Sequence, residues 1–385
     1  MKTKNIYLAL LALVLSPAFL TAQENYKTIS KEETALIHQG SAAYKVAVYQ
    51  EPATNKKPKN VIFLIGDGMG LAQIHAGFTA NHGKLFLHNF SHIGLQTTHS
   101  ASNYITDSAA AGTALSSGQK TYNGAIGMNT DTISITNIRE VFEQQGLATG
   151  VVSTSAVTHA TPAAFVAHQP ARSMYEAIAA DYLKTNIDVF IGGGLKHFTE
   201  RADGRDLTKD LEKKNYKVLR NIEELKKASK GKVAALLAPE HMPTVLDGRG
   251  DMLPLATKTA ISLLEADPDG FFLMVEGSQI DWGGHQNNTS YITSEVLDFD
   301  KAVGEALAFA ARDKQTLVIV TADHETGGMG INSGDFDSGY IKSGYTSGSH
   351  TGIMVPVFAF GPGAEQFMGF YDNTDIPAKI KELLR

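Results

Sequence analysis

The stretch Asn60-Val61-Ile62-Phe63-Leu64-Ile65-Gly66-Asp67-Gly68-Met69-Gly70 decides the fold class. A short unbroken apolar run that stops in glycines suits a strand covered on both faces, as in a parallel sheet. The same grammar returns at residues 148–153, 187–191, 271–275, 316–321 and 353–360. Helix-like stretches stand among them at 136–145, 173–184, 256–266 and 293–312. Strands alternating with helices predict βαβ units, and hence an α/β fold with a doubly wound, mostly parallel central sheet flanked by helices. In such sheets ligands sit beyond the carboxyl ends of the strands. Polar clusters stand at those ends: Asp67, then Thr158-His159-Ala160-Thr161, Glu276 and Asp323-His324-Glu325.

Two segments break the pattern. Residues 195–252 are charged and irregular and read as a small insertion at the sheet edge. Residues 326–352 are rich in Gly and Ser and read as a loop that returns a ligand to the site.

The chain has 385 residues, 43% hydrophobic and 19% charged, which is a globular composition. Residues 1–22 read as a signal peptide: Lys2 and Lys4, an apolar run from Ile6 to Leu20, and a small-residue cleavage site at Leu20-Thr21-Ala22. The run is short for a membrane span, so no span is expected in the mature chain. Residues 23–385 read as a single catalytic domain. The formal net charge is −6, and two units more negative without Lys2 and Lys4. That acidity argues against nucleic acid as a specific partner. The absence of Cys excludes disulfides, thiolate metal ligands and a Cys nucleophile.

Any bound metal must therefore be held by His and carboxylates. Asp281 and His285 are four apart, on one face if helical. Asp323 and His324 follow a strand, His350 precedes the last apolar run, and Asp67 and Glu276 add strand-end carboxylates. Imidazole and carboxylate without sulfur suit a catalytic zinc. Taken singly, each has a plainer reading as a cap, a turn residue or a surface pair; their gathering at one sheet edge favours a metal. The nucleophile candidate is Ser108, in Thr106-Asp107-Ser108-Ala109-Ala110-Ala111-Gly112. A small-residue helix starting there would offer its N-terminus to an anion; the alternative is that Asp107 or Ser108 is only the N-cap. There is no G-x-S-x-G elbow, so a metal would have to activate the serine. Arg172 opens a predicted helix and could clamp phosphate oxygens, or be a surface arginine.

Together, residues 60–70, 105–128, 158–172, 271–288, 318–325 and 348–363 resemble the alkaline phosphatase family in order and spacing. The resemblance implies hydrolysis of small phosphate monoesters at alkaline pH, through a phosphoserine on Ser108, with two Zn²⁺ and one Mg²⁺. It implies that Arg172 holds the phosphate and Asp107 orients it. One zinc would be bound by Asp281, His285 and His350, the other by Asp67, Asp323 and His324. Magnesium would take Asp67, Thr161 and Glu276. His159 stands where the best-known bacterial pattern has an Asp near magnesium, and Trp282 where it has a Lys near phosphate. Trp282 either faces the phosphate or packs under a loop. A periplasmic or secreted enzyme follows from the N-terminus, and a homodimer is compatible with a family whose members are commonly dimers.

A sulfatase would need a C/S-x-P-x-R pattern that the chain lacks. A phosphodiesterase of the same superfamily would share the metal core. A phosphate- or metal-binding protein without catalysis would be expected to have lost the serine or a zinc ligand, and every position is filled.

Overall fold

The computed structural model describes residues 32–52 and 57–384, so the expected signal peptide lies outside the described residues. The run quoted above forms the strand Asn60–Gly66, buried along its whole length. Val61, Phe63 and Ile65 face one hydrophobic cluster, Ile62 and Leu64 the other. That is the two-residue period of a strand covered on both sides. The helices Ser108–Ser117, Ile138–Gln144 and Tyr175–Tyr182 cover the Val61, Phe63 and Ile65 face, and Met252–Leu264 and Thr289–Asp313 cover the Ile62 and Leu64 face.

Asn60–Gly66 lies near the middle of a ten-stranded sheet. On one side follow Phe271–Gly277, Ala148–Ala156, Val189–Gly193, Val233–Leu236 and Lys217–Leu219, each parallel to its neighbour. On the other stand Thr316–Thr321, parallel, then Val355–Phe360, His92–Thr97 and Gly369–Asp372. The sheet is therefore mostly parallel and flanked by helices, an α/β architecture. Residues 195–252 sit at its edge and are part of it, since they contribute Val233–Leu236 and Lys217–Leu219.

Val355–Phe360 runs antiparallel to both neighbours, with Val357 opposite Thr321. Its beginning thus lies at the carboxyl end of Thr316–Thr321. That reversal lets His350, which precedes the strand, reach the same edge as Asp323 and His324.

Residues 326–352 differ from the expected loop. Met329–Asp335 and Tyr340–Tyr345 form an antiparallel hairpin, extended by Ile37–His38 into a three-stranded sheet. At its base Thr326 pairs with His350. No helix of the described residues is long and apolar enough to cross a membrane.

Candidate active site

Ser108 opens the helix Ser108–Ser117 and is almost fully buried. Asp107 is the N-cap: its Oδ1 accepts from Ala110 N–H at 2.9 Å, satisfying one of the donors a helix start leaves open. Its Oδ2 accepts from Arg172 Nη1 at 3.2 Å. Asp107 thus uses one oxygen to cap the helix and the other to receive Arg172. Arg172 Nη2 points at His159 Nε2, 3.2 Å away. A guanidinium only donates, so Nε2 of His159 accepts and its ring proton sits on Nδ1.

Across from Ser108 stand three histidines whose Nδ1 atoms are all engaged. His285 Nδ1 lies 2.9 Å from the Gly348 carbonyl and His350 Nδ1 2.9 Å from the Thr106 carbonyl. A carbonyl only accepts, so both rings donate from Nδ1 and turn an Nε2 lone pair inward. Thr326 Oγ1 donates to Asp281 Oδ1 at 2.5 Å, so at 3.2 Å it accepts from His324 Nδ1. The inward nitrogens converge. His285 Nε2 is 3.4 Å from Asp281 Oδ2, His350 Nε2 is 3.4 Å from Asp281 Oδ1, and the two nitrogens are 3.2 Å apart. His324 Nε2 is 3.3 Å from Asp323 Oδ2, 3.5 Å from Asp67 Oδ1 and 3.3 Å from Ser108 Oγ.

Ligand atoms of Asp281, His285 and His350 lie within 4.8 Å of one another, as do those of Asp67, Asp281 and His324. Asp281 thus belongs to both groups, while Asp323 reaches the second through His324. The chain folds this way because Gly68 allows it. Its φ is +73°, and a Cβ there would sit 2.6 Å from the Asp281 Cα, so only glycine fits between the end of the strand Asn60–Gly66 and the helix Gln279–His285 that carries Asp281.

The electrostatics of the cluster favour a bound cation. Asp67 is held well above the usual carboxylate range, first by burial, then by Asp323, Asp281 and Glu276 around it. Asp323 is pushed up to about 8, by burial and then by Asp281. Burial alone would raise Asp281, but His285 and His350 hold it well below the usual range. His324 is held low by burial and the adjacent His350, and His350 by burial against the pull of Asp281. Carboxylates forced together and imidazoles forced neutral form a ligand set. Both oxygens of Asp67 and Oδ2 of Asp323 are buried without a hydrogen-bond donor. Such orphans cost roughly 1–3 kcal/mol each, more when charged. The donor set fits hard and borderline divalent metals.

Glu276 is the penultimate residue of the strand Phe271–Gly277 and accepts from Ser153 and Ser155. Trp282 is buried; its indole packs edge-on against His159 and against His241, a residue the sequence reading passed over. Thr326 was also missed, because a threonine after Asp-His-Glu carries no metal-site pattern of its own. His168 pairs with Glu140.

A helix-initiating serine facing a cluster of His and carboxylate side chains that could hold metal, with an arginine beside it, suits a metal-dependent phosphoryl hydrolase. A family model described as alkaline phosphatase matches residues 58–339. Alkaline phosphatase 4 of Bacillus subtilis is 36% identical, over 85% of this chain and 89% of its own length. The alkaline phosphatase of Escherichia coli is 31% identical, over 100% and 99%. The solved alkaline phosphatase from the Antarctic bacterium TAB5 is 45% identical with a TM-score of 0.80, covering 86% of this chain and 98% of that one. The chain belongs to the alkaline phosphatase family. It is a metal-dependent hydrolase of phosphate monoesters.

Proposed function

We propose that Ser108 is the nucleophile and is phosphorylated in turnover. Its Oγ attacks phosphorus, loses its proton and displaces the alcohol; water then releases inorganic phosphate from the serine. Arg172 grips two phosphate oxygens, with Asp107 and His159 fixing the direction of its two Nη groups. The free N–H groups at the start of the Ser108 helix add a positive potential where the anion sits. Asp281, His285 and His350 would hold one zinc, Asp67, Asp323 and His324 a second, and Asp67, Thr161 and Glu276 a magnesium. Bound, these ions supply positive charge for the entering and leaving oxygens of an in-line displacement.

The convergence of the histidine Nε2 atoms, each with Nδ1 tied to an acceptor, carries this reading. Structures of the TAB5 enzyme with Asp or Glu in place of a histidine are described with magnesium bound in a site called M3. They support a third metal site here, with His159 beside it. The signal-peptide reading makes the enzyme periplasmic or secreted.

The test is metal content of the purified protein together with rates on an aryl phosphate monoester and the matching diester. Two zinc and one magnesium per chain, with the monoester strongly preferred, are expected. His350→Ala should lose about one zinc while staying folded. Full zinc retention in that variant removes His350 from the site, and a preference for the diester makes the enzyme a phosphodiesterase.

A further inference from the structure

Three rings meet beside Arg172, and one has no assigned role. His241 lies perpendicular to His159, with centroids 5.3 Å apart at 88°, and nearly so to Trp282, at 4.7 Å and 73°. His159 and Trp282 are themselves 6.0 Å apart at 87°. Each pair is edge-to-face, the arrangement that aromatic quadrupoles favour.

The His241 ring is held in place. Ala156 N–H donates to its Nδ1 at 3.0 Å, so Nδ1 accepts and the neutral ring carries its proton on Nε2. The backbone beneath it rests on Gly193, where a Cβ would lie 1.9 Å from the Glu240 carbonyl oxygen. Met242 N–H donates to the Thr154 carbonyl at 3.2 Å, and Gln279 donates to the Met242 carbonyl at 2.8 Å. Buried Arg249 donates to the Pro243 carbonyl at 3.0 Å and is clamped by Glu295 and Asp298. The turn is thus anchored to the strand Ala148–Ala156, to the helix Gln279–His285 and to the helix Thr289–Asp313.

We propose that His241 is a positioning residue for phosphate. Its ring blocks rotation of His159, whose Nε2 receives Arg172 Nη2, and it backs Trp282 next to the ligand Asp281. Loss of the ring would let His159 tilt and with it the guanidinium. This rests on the reading of Arg172 as the phosphate-holding group.

Trp282 is the single tryptophan of the chain, so its emission reports on this cluster directly. The experiment compares the full-length wild type with His241→Asn, His241→Phe, His241→Ala and Arg172→Ala. Emission, melting temperature, inhibition by inorganic phosphate, and KM and kcat on an aryl phosphate are measured. Asn keeps an acceptor for Ala156 but no ring; Phe keeps a ring but no acceptor. Asn and Ala should shift the Trp282 emission and weaken phosphate inhibition roughly tenfold, with KM rising alike. Phe should stay within about threefold of wild type, since the ring does the holding. A folded His241→Asn that is inhibited by phosphate as wild type is overturns the proposal. So does His241→Phe falling as far as His241→Ala, which would make the residue only an anchor for Ala156. Unchanged phosphate inhibition in Arg172→Ala would remove the underlying reading instead.

Discussion

The hydroxyl of Thr326 lies 2.5 Å from Asp281 Oδ1 while the same oxygen receives His324 Nδ1 at 3.2 Å. One buried side chain therefore sets the carboxylate shared by both ligand groups and the tautomer of a histidine facing Ser108. Thr326→Val keeps the shape and removes both hydrogen bonds. Metal affinity, read by chelator competition, should fall roughly tenfold or more, and Thr326→Ser should restore most of it. Equal metal retention in Thr326→Val would show that Asp281 and His324 need no such support.

Trp282→Lys would place an ammonium among His159, His241 and the phosphate site. Inorganic phosphate should inhibit more strongly and KM should fall, because a charge replaces a neutral N–H donor. If product release limits turnover, kcat falls too. Losing the buried indole should cost about 3 kcal/mol of stability. Adding His159→Asp should tighten magnesium retention, since a hard ion prefers a carboxylate to an imidazole. Unchanged phosphate inhibition in Trp282→Lys would leave residue 282 as packing alone.

His168 and Glu140, 2.8 Å apart, give stability a pH dependence away from the metals. Burial lowers the His168 pKa, but Glu140 and the Gly127 carbonyl outweigh it and hold it above the ordinary 6.5. Burial raises that of Glu140, yet His168 and the Asn137 N–H hold it below the ordinary 4.5. A raised histidine stabilises fully below 6.5 and loses this as pH rises through its folded value; a lowered glutamate stabilises above 4.5 and loses this as pH falls through its own. The pair thus contributes most between pH 4.5 and 6.5 and fades at alkaline pH. His168→Gln should lower the melting temperature more at pH 6 than at pH 9, by an amount worth up to about 1 kcal/mol. An equal loss at both values would assign His168 to packing.

Strand runs and strand-end acids were legible because burial on both faces forces unbroken apolar sequence, and a parallel sheet collects its strand ends at one edge. The direction of Val355–Phe360 was not, since an antiparallel strand buried on both faces has the same composition as a parallel one. The hairpin Met329–Asp335 and Tyr340–Tyr345 was hidden for another reason. Its first strand is largely exposed, and its sheet is completed by Ile37–His38 from far away in the chain, so no local apolar alternation marks it. His241 and Thr326 act through contacts that tertiary closure creates. Ala156 and His241 are 85 positions apart, and nothing around either announces the other.

Ser108, 3.3 Å from His324 Nε2 at the start of its helix, is proposed to carry the phosphoryl group between substrate and water. Trapping the metal-loaded enzyme at acidic pH with labelled phosphate, followed by peptide mapping, tests it most directly. Label on Ser108, absent from Ser108→Ala, is the predicted result. Label on Thr106, or a fully active enzyme that never acquires label, would contradict the account.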